Sequence, residues 1–255
     1  MTVVSAIILG IVEGITEFLP ISSTGHLILA ERLIGMDSSD VVKSFDIVIQ
    51  LGAILAVAIL YWKTLLQSRR SILLIITAFI PTGIIGFALH GFVRSLLGST
   101  QVVSWSLLLG GLFLIIFEYL HRESASATDS VDAITVKQAV IIGIFQSIAI
   151  IPGVSRAAAT IVGGLLLGLK RKTIVEFSFL LAIPTMLAAS VLDLLKTGSA
   201  ITGHDALLIC IGFVTSFIIA IIAIRWFLSY IRSHTFTSFG IYRVIVGVLC
   251  LLLLK

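Results

Sequence analysis

The chain has 255 residues and a net charge of +4, with 58% hydrophobic and only 12% charged side chains. Soluble domains carry about 25% charged residues, so this composition excludes an ordinary water-soluble domain and predicts a polytopic membrane protein. The positive charges lie between apolar segments and form no long basic stripe, so we expect the bilayer as a partner and no nucleic acid.

The apolar segments that can cross a bilayer as helices are those of about 20 residues or more. Six such segments cover roughly residues 44–62, 71–91, 102–120, 174–195, 205–230 and 237–254. Cys210 and Cys250 lie inside two of them, which predicts no disulfide framework and no cysteine metal site. The N-terminus has no basic segment, and Glu13 and Glu17 interrupt its apolar stretch, which argues against a cleavable signal peptide.

Two other apolar regions are broken by proline, at Pro20 and at Pro152, into arms that are too short to cross alone. The arms are residues 3–19 and 25–35 in the first region, and residues 135–150 and 155–169 in the second. Proline disfavours helix at the residue before it, and irregular backbone at membrane depth survives only beside protein or a water-filled cavity. Both regions are therefore predicted to be re-entrant helical hairpins.

The two broken regions resemble each other at an offset of 133 residues. The identical residues in the first region are Ala6, Ile8, Gly10, Ile11, Ile15 and Ser22, while Gln146 stands where the first region has Glu13. Each region is followed by three spans, which divides the chain into halves at 1–120 and 134–255 with a linker at 121–133. A hairpin adds no net crossing and three spans add an odd number, so the second half must be inverted. The predicted fold is all-α, with two inverted-topology halves that each combine a re-entrant helical hairpin with three transmembrane helices.

Positive charge predicts the orientation of this topology. One side of the membrane receives nine cations: Lys63, Arg69, Arg70, Arg122, Lys170, Arg171, Lys172, Arg225 and Arg232. The other side receives five: Arg32, Lys43, Arg94, Lys196 and Lys255. The side with nine is predicted to be cytoplasmic, so the first hairpin enters from the outer face and the second from the cytoplasm.

Glu13 and Glu17 are four residues apart, which places both carboxylates on one face of a helix, about 6 Å apart at Cβ. Two carboxylates in an apolar setting repel each other, and a divalent cation such as Mg²⁺ or Ca²⁺ would compensate them. The alternative is an interfacial pair whose side chains reach water. Acidic residues within a membrane are functional candidates.

The first break is followed by Ser22, Ser23, Thr24, Gly25 and His26. Hydroxyl residues after a proline break cap a new helix, whose free N–H groups and positive dipole end suit a phosphate. A hydroxyl with a nearby histidine also offers a nucleophile and a base in one loop. The alternative is plain capping together with a core histidine.

The second break contains Gly153, Ser155 and Arg156, with Thr160 one turn further on. It opens another helix N-terminus, and Arg156 is a permanent cation that grips phosphate with two parallel hydrogen bonds. A purely structural ion pair between Arg156 and a glutamate is the alternative. Four other polar residues beside the spans are predicted to stiffen the bundle or shape the site: Asp46, Gln50, Glu176 and Arg243.

The segments Glu13–His26, Pro152–Arg156 and Glu176–Pro184 resemble the undecaprenyl-diphosphate phosphatase family, also called bacitracin resistance proteins, and the similarity covers essentially the whole chain. The resemblance implies a hydrolase that converts a polyprenyl diphosphate to the lipid monophosphate and inorganic phosphate. It also implies a divalent cation, recycling of the undecaprenyl carrier for cell-wall synthesis, bacitracin resistance and the bacterial cytoplasmic membrane. The charge distribution predicts that the active site faces the outer side.

By motif position, the resemblance assigns Glu13 and Glu17 to metal binding or acid–base work, Ser23 and His26 to catalysis, and Arg156 to gripping phosphate; Ser155 and Thr160 match the second motif. Together with the analysis of the two breaks, this gives the predicted site. The catalytic residues are Glu17, Ser23, His26 and Arg156; the substrate-binding residues are Ser22, Thr24, Gly25, Gly153, Ser155 and Thr160; and the metal ligands are Glu13 and Glu17. One departure concerns Ala157 and Ala158, which stand where the family usually has Ser-Gly, so one hydroxyl is lost.

Three alternatives stay open at the level of sequence. The nucleophile is Ser23, His26 or an activated water. Inverted repeats with broken helices also occur in transporters, so a secondary transporter or lipid flippase is the rival function. The assembly is a monomer or a homodimer.

Overall fold

The computed structural model describes residues 1–36, 40–89, 91–92, 96, 99–124, 126–197 and 203–253, without the side chains of residues 40, 193–197, 203–204 and 253. Over these ranges the chain is helical, with one isolated bridge and no strand. Arg94, Lys255 and the side chain of Lys196, which the charge count used, lie outside the description.

The described helices follow the predicted order of elements. They are α1 (Val3–Thr16), α2 (Ser23–Leu33), α3 (Asp40–Leu60), α4 (Trp62–Gln67), α5 (Arg69–Ala88), α6 (Thr100–Leu120), α7 (Val136–Ser147), α8 (Arg156–Leu166), α9 (Arg171–Thr197), α10 (Gly203–Tyr230) and α11 (Thr237–Leu253). Five of them, α3, α5, α6, α9 and α10, are long and apolar enough to cross a membrane. The predicted sixth span, α11, is a shorter apolar helix of 17 described residues. The chain is a multi-pass membrane protein.

Both predicted breaks are confirmed, because each apolar pair forms two short helices joined by a turn. Thr2 and Thr135 start α1 and α7 with capping boxes, in which side chain and backbone exchange hydrogen bonds. Ser22 and Ser155 cap α2 and α8. The two turns thus end in a serine at corresponding positions of the two copies.

Each short first helix packs against a long helix of the other half of the chain: α1 against α10, and α7 against α5. A Cβ at Gly10 would lie 2.8 Å from the carbonyl oxygen of Gly212, and one at Gly143 would overlap the carbonyl oxygen of Ala78. Gly10 and Gly143 are related by the offset of 133 residues. Matching glycines therefore allow matching close approaches of helix backbones.

The loops that the charge count assigned to one side of the membrane contact each other. Asp132 accepts hydrogen bonds from Ser68 (2.5 Å) and Ser71 (2.7 Å), which lower the pKa of its carboxyl group. Arg171 pairs with Glu118 at 2.6 Å. Glu123 of the linker also pairs with Arg171 at 3.3 Å, so the linker is held against the ends of α5 and α9.

Candidate active site

A polar cavity of about 160 Å³ opens where the two turns meet. The first half lines it with Glu17, Ser22, Ser23, Thr24 and Gln50, and the second half with Ala149, Val154, Ser155, Arg156 and Met186. The predicted meeting of the first-turn carboxylate with the second-turn guanidinium is therefore present in the structure.

Glu17 is the centre of the polar contacts in this cavity, although its side chain is only 3% exposed. Its Oε2 accepts a hydrogen bond of 2.5 Å from the hydroxyl of Ser23, and its Oε1 lies 3.4 Å from Nη2 of Arg156. A buried carboxylate that accepts from a hydroxyl is placed to take its proton. Glu17 is thus the geometric partner of Ser23.

Arg156 lies at the start of α8, where its backbone joins the first turn of the helix. Its Nη1 donates to the carbonyl oxygen of Ser178 at 2.8 Å, and its Nε is buried and has no partner among the described residues. The guanidinium is therefore held on one edge by the protein, while its Nη2 meets Glu17, which lines the cavity. That combination suits the capture of an anion with several oxygens.

Glu13 is fully buried one helical turn before Glu17 and does not line the cavity. Neither of its carboxylate oxygens accepts a hydrogen bond from a donor group in the described part of the chain, and the neighbouring carboxylate of Glu17 lies close enough to share a proton with it. Buried polar atoms without partners are rare in folded proteins and usually indicate a proton, a water or an ion. Of the two predicted metal ligands, Glu13 is the one whose oxygens accept no hydrogen bond from the described residues.

The ring nitrogens of His26 hydrogen-bond to Ser22 and Tyr242 and not to Ser23, which differs from the predicted nucleophile–base pair. Its Nδ1 donates to the carbonyl oxygen of Ser22 at 2.7 Å, so in a neutral ring Nε2 accepts from the hydroxyl of Tyr242 at 2.8 Å. The rings of His26 and Tyr242 are stacked, with centroids 5.5 Å apart. His26 therefore faces α11, and Glu17 occupies the place that we expected it to fill beside Ser23.

The two capping serines, Ser22 and Ser155, both line the cavity and both hydrogen-bond to the backbone. Ser22 adopts φ +74°, in the left-handed region that is unusual for a residue with a side chain, and its hydroxyl accepts from the amide of Gly25. Ser155 accepts from the amide of Ala158 and donates to the carbonyl oxygen of Leu19 at 3.3 Å. That last bond joins the two turns directly.

Three other predicted substrate-binding residues, Gly25, Gly153 and Thr160, do not line the cavity. Thr160 is fully buried, and its hydroxyl lies 2.6 Å from that of Ser178, behind Arg156. Ala157 is also fully buried outside the cavity, so the hydroxyl that its position lacks would not face the cavity.

Sequence reasoning ranked two residues too low. Gln50 lines the cavity, and it lies on α3, outside both motifs. Arg243 is only 1% exposed and contacts both turns from α11. The available signal was that a charged residue in an apolar helix is rarely without a function.

Comparison with known proteins agrees with the motif. Residues 6–249 match the family model of the bacitracin resistance protein BacA. The undecaprenyl-diphosphatase of Aquifex aeolicus is 51% identical over 248 residues, covering 97% of this chain and 96% of the relative. That of Sulfurihydrogenibium sp. is 49% identical, covering 98% of this chain and 98% of the relative. That of Bdellovibrio bacteriovorus is 46% identical, covering 100% of this chain and 97% of the relative. The chain belongs to the BacA family of bacitracin resistance proteins.

Proposed function

We propose that this protein hydrolyses undecaprenyl diphosphate to undecaprenyl phosphate and inorganic phosphate, and so recycles the lipid carrier for cell-wall synthesis and confers bacitracin resistance. The observation that carries the proposal is the contact of Glu17 with both Ser23 and Arg156 inside one polar cavity. The full-length relationship to proteins named undecaprenyl-diphosphatase supplies the substrate.

In the proposed chemistry, the Ser23 oxygen attacks the terminal phosphorus while its proton passes to Oε2 of Glu17. The bond between that phosphorus and the bridging oxygen breaks, and undecaprenyl phosphate leaves. Glu17 passes the proton it took from Ser23 to the departing undecaprenyl phosphate and so becomes a carboxylate again. A water then attacks the phosphoserine and gives a proton to Glu17, the bond between the phosphorus and the Ser23 oxygen breaks, and Glu17 returns the proton to that oxygen as phosphate is released. The hydrogen bond of 2.5 Å from Ser23 to Glu17 supports this choice over His26 as base.

Arg156 would stabilise the charge that develops on the phosphoryl oxygens during transfer. Phosphoryl transfer depends mainly on positioning and charge neutralisation, so a held guanidinium contributes more than a mobile one. The contact of Arg156 with the Ser178 carbonyl holds it in that way. The amides at the start of α2 and α8 add two further positive dipole ends.

Glu13 and Glu17 would hold a divalent cation, Mg²⁺ or Ca²⁺. The Glu13 oxygens, which accept no hydrogen bond from the described residues, fit this assignment, since hard oxygen donors suit both ions. Among the described residues, no group of three or more His, Cys, Asp or Glu residues could hold a metal ion. When bound, the cation would neutralise phosphate charge.

We expect phosphate release from a prenyl diphosphate by the purified protein in detergent to require Mg²⁺ or Ca²⁺ and to stop in EDTA. Glu13→Gln should raise the half-saturating cation concentration about tenfold or more, because it removes one anionic ligand of the ion. A colorimetric phosphate assay across a cation titration measures both effects. Full turnover in EDTA would remove the cation from the mechanism, and transport of the lipid without phosphate release would favour the rival flippase.

We also propose that the two halves are inverted repeats with re-entrant hairpins in the bacterial inner membrane, and that the cavity opens to the outer face. The reciprocal packing of α1 on α10 and of α7 on α5 supports the repeat. The contacts between the loops around Ser68, Asp132 and Arg171 support their placement on one side of the membrane. The nine-to-five distribution of cations supports that side as cytoplasmic.

Single cysteines test this orientation in intact cells. In a Cys210→Ala, Cys250→Ala background, a membrane-impermeant maleimide should label Arg32→Cys and should label Lys63→Cys only after the membrane is permeabilised. Both positions are exposed in the structure. The opposite labelling pattern would reverse the orientation and place the cavity on the cytoplasmic side.

A further inference from the structure

Arg243 lies on α11, more than 80 residues from either turn, and is almost completely buried. Its Nη1 donates to the carbonyl oxygen of Pro20 at 3.2 Å, and its Nη2 donates to those of Ser106 at 3.0 Å and Gly153 at 3.1 Å. Pro20 belongs to the first turn, Gly153 to the second, and Ser106 to α6. One guanidinium therefore joins both turns to a membrane-spanning helix.

The charge of Arg243 is met by carbonyl dipoles. In the described part of the chain no carboxylate forms a salt bridge with it. A buried charge of this kind is expensive, and an apolar residue of the same volume often packs as stably. Its geometry is specific, because a planar guanidinium fixes the directions of its donors and so the relative positions of the three carbonyls.

Those carbonyls are close in sequence to the reacting groups. Pro20 lies three residues after Glu17 and three before Ser23, and Gly153 lies three residues before Arg156. Gly153 has φ +89°, and a Cβ there would lie 2.8 Å from the carbonyl oxygen of Val103 on α6, so the second turn is pressed against that helix. A shift of the Pro20 carbonyl would therefore move Glu17, and a shift of the Gly153 carbonyl would move Arg156. Either shift would change the contact between Glu17 and Arg156.

We propose that Arg243 is a positioning residue for the hydrolysis, in which its guanidinium sets the separation of the two turns so that Glu17, Ser23 and Arg156 act on one diphosphate. Arg243 itself does not line the cavity. The inference rests on the proposed function, because it assigns a role relative to those three residues.

Gly110 gives a second way to disturb this guanidinium without changing Arg243. A Cβ at Gly110 would overlap Nη2 of Arg243 and lie 2.9 Å from its Cζ, so Gly110→Ala must displace the guanidinium group. Gly83 is the matched control, because its Cβ would meet only Phe79, at the ordinary distance of 3.7 Å. Both glycines lie in long apolar helices.

The test compares Arg243→Met, Arg243→Lys, Gly110→Ala and Gly83→Ala in detergent, each assayed well below its own Tm. We expect kcat to fall about 100-fold for Arg243→Met, since misplacement of reacting groups by about 1 Å has that effect. Arg243→Lys should recover part of the loss, and Gly110→Ala should reduce kcat in the same direction. KM should change less than about threefold, because the lipid contacts and Arg156 are retained. Gly83→Ala should match the unaltered protein.

A purely stabilising role for Arg243 predicts a lower Tm but a normal kcat for the folded variants, and that result would overturn the proposal. If Arg243→Met does not fold, the test depends on Arg243→Lys and Gly110→Ala. Normal kcat in both of these variants would also overturn the proposal. Arg156→Met is assayed beside them. Normal turnover in that variant would instead refute the proposed site, so the two failures are distinguishable.

Discussion

Glu17→Gln should reduce kcat for phosphate release by about 10³-fold, within the range that a positioned general base contributes. The amide keeps the size of the side chain but cannot take the proton of Ser23, whose hydroxyl lies 2.5 Å from Oε2. It also removes the negative charge beside Arg156. Steady-state phosphate release with a prenyl diphosphate in detergent measures the loss.

Glu123→Gln is the control for this variant, because Glu123 pairs with Arg171 at the linker and lies away from the cavity. It should keep the kcat of the unaltered protein. Ser23→Ala should be as inactive as Glu17→Gln, and the double variant should be no worse than either alone, since the two groups act as one unit. Near-normal turnover of Glu17→Gln would show that Glu17 is not the base.

Arg156→Met should reduce kcat by about 10³-fold, the upper end of the loss that follows removal of one donor to a developing oxyanion. The variant removes the cation from the cavity, leaves the carbonyl oxygen of Ser178 without its donor, and leaves Glu17 buried without its counter-ion. Arg156→Lys keeps the charge but loses the planar arrangement of donors. We therefore expect the lysine variant to lie between the methionine variant and the unaltered protein.

Arg122→Met serves as the matched control, because Arg122 is exposed at the start of the linker, away from the cavity. A size-exclusion profile and a Tm measured in the same detergent separate lost chemistry from lost folding. An Arg156→Met protein that is folded and turns over substrate at the normal rate would limit Arg156 to a structural ion pair, the alternative that the sequence left open.

The motif that contains His26 does not predict which residue its side chain contacts. The spacing of Ser23 and His26 allows their side chains to make a direct contact on one helix. The turn before that helix equally allows Glu17 to contact Ser23. In the structure Ser23 hydrogen-bonds to Glu17, and His26 on the same helix packs against Tyr242 of α11. Residues 216 positions apart meet there, a separation that no local pattern reports.

Thr160 and Arg243 also show that the position of a residue in the sequence does not determine what its side chain contacts. Thr160 was predicted to bind substrate from its match to the second motif, but its hydroxyl hydrogen-bonds with that of Ser178, behind the guanidinium of Arg156. Arg243 lies in a C-terminal apolar helix far from both motifs, yet it donates to both turns. In each case the direction of the side chain depends on neighbouring helices.

The amino-acid sequence by itself determined the membrane class, the two proline breaks and the residue types of the site, because hydropathy, backbone restriction at proline and charge in an apolar run act locally. Only the tertiary structure decided that Glu17 rather than His26 hydrogen-bonds to Ser23, that no donor among the described residues meets the Glu13 carboxylate, and that Arg243 joins the turns. The physical reason is that these outcomes depend on how helices rotate and approach one another. Packing between distant segments controls that geometry, and no single segment encodes it.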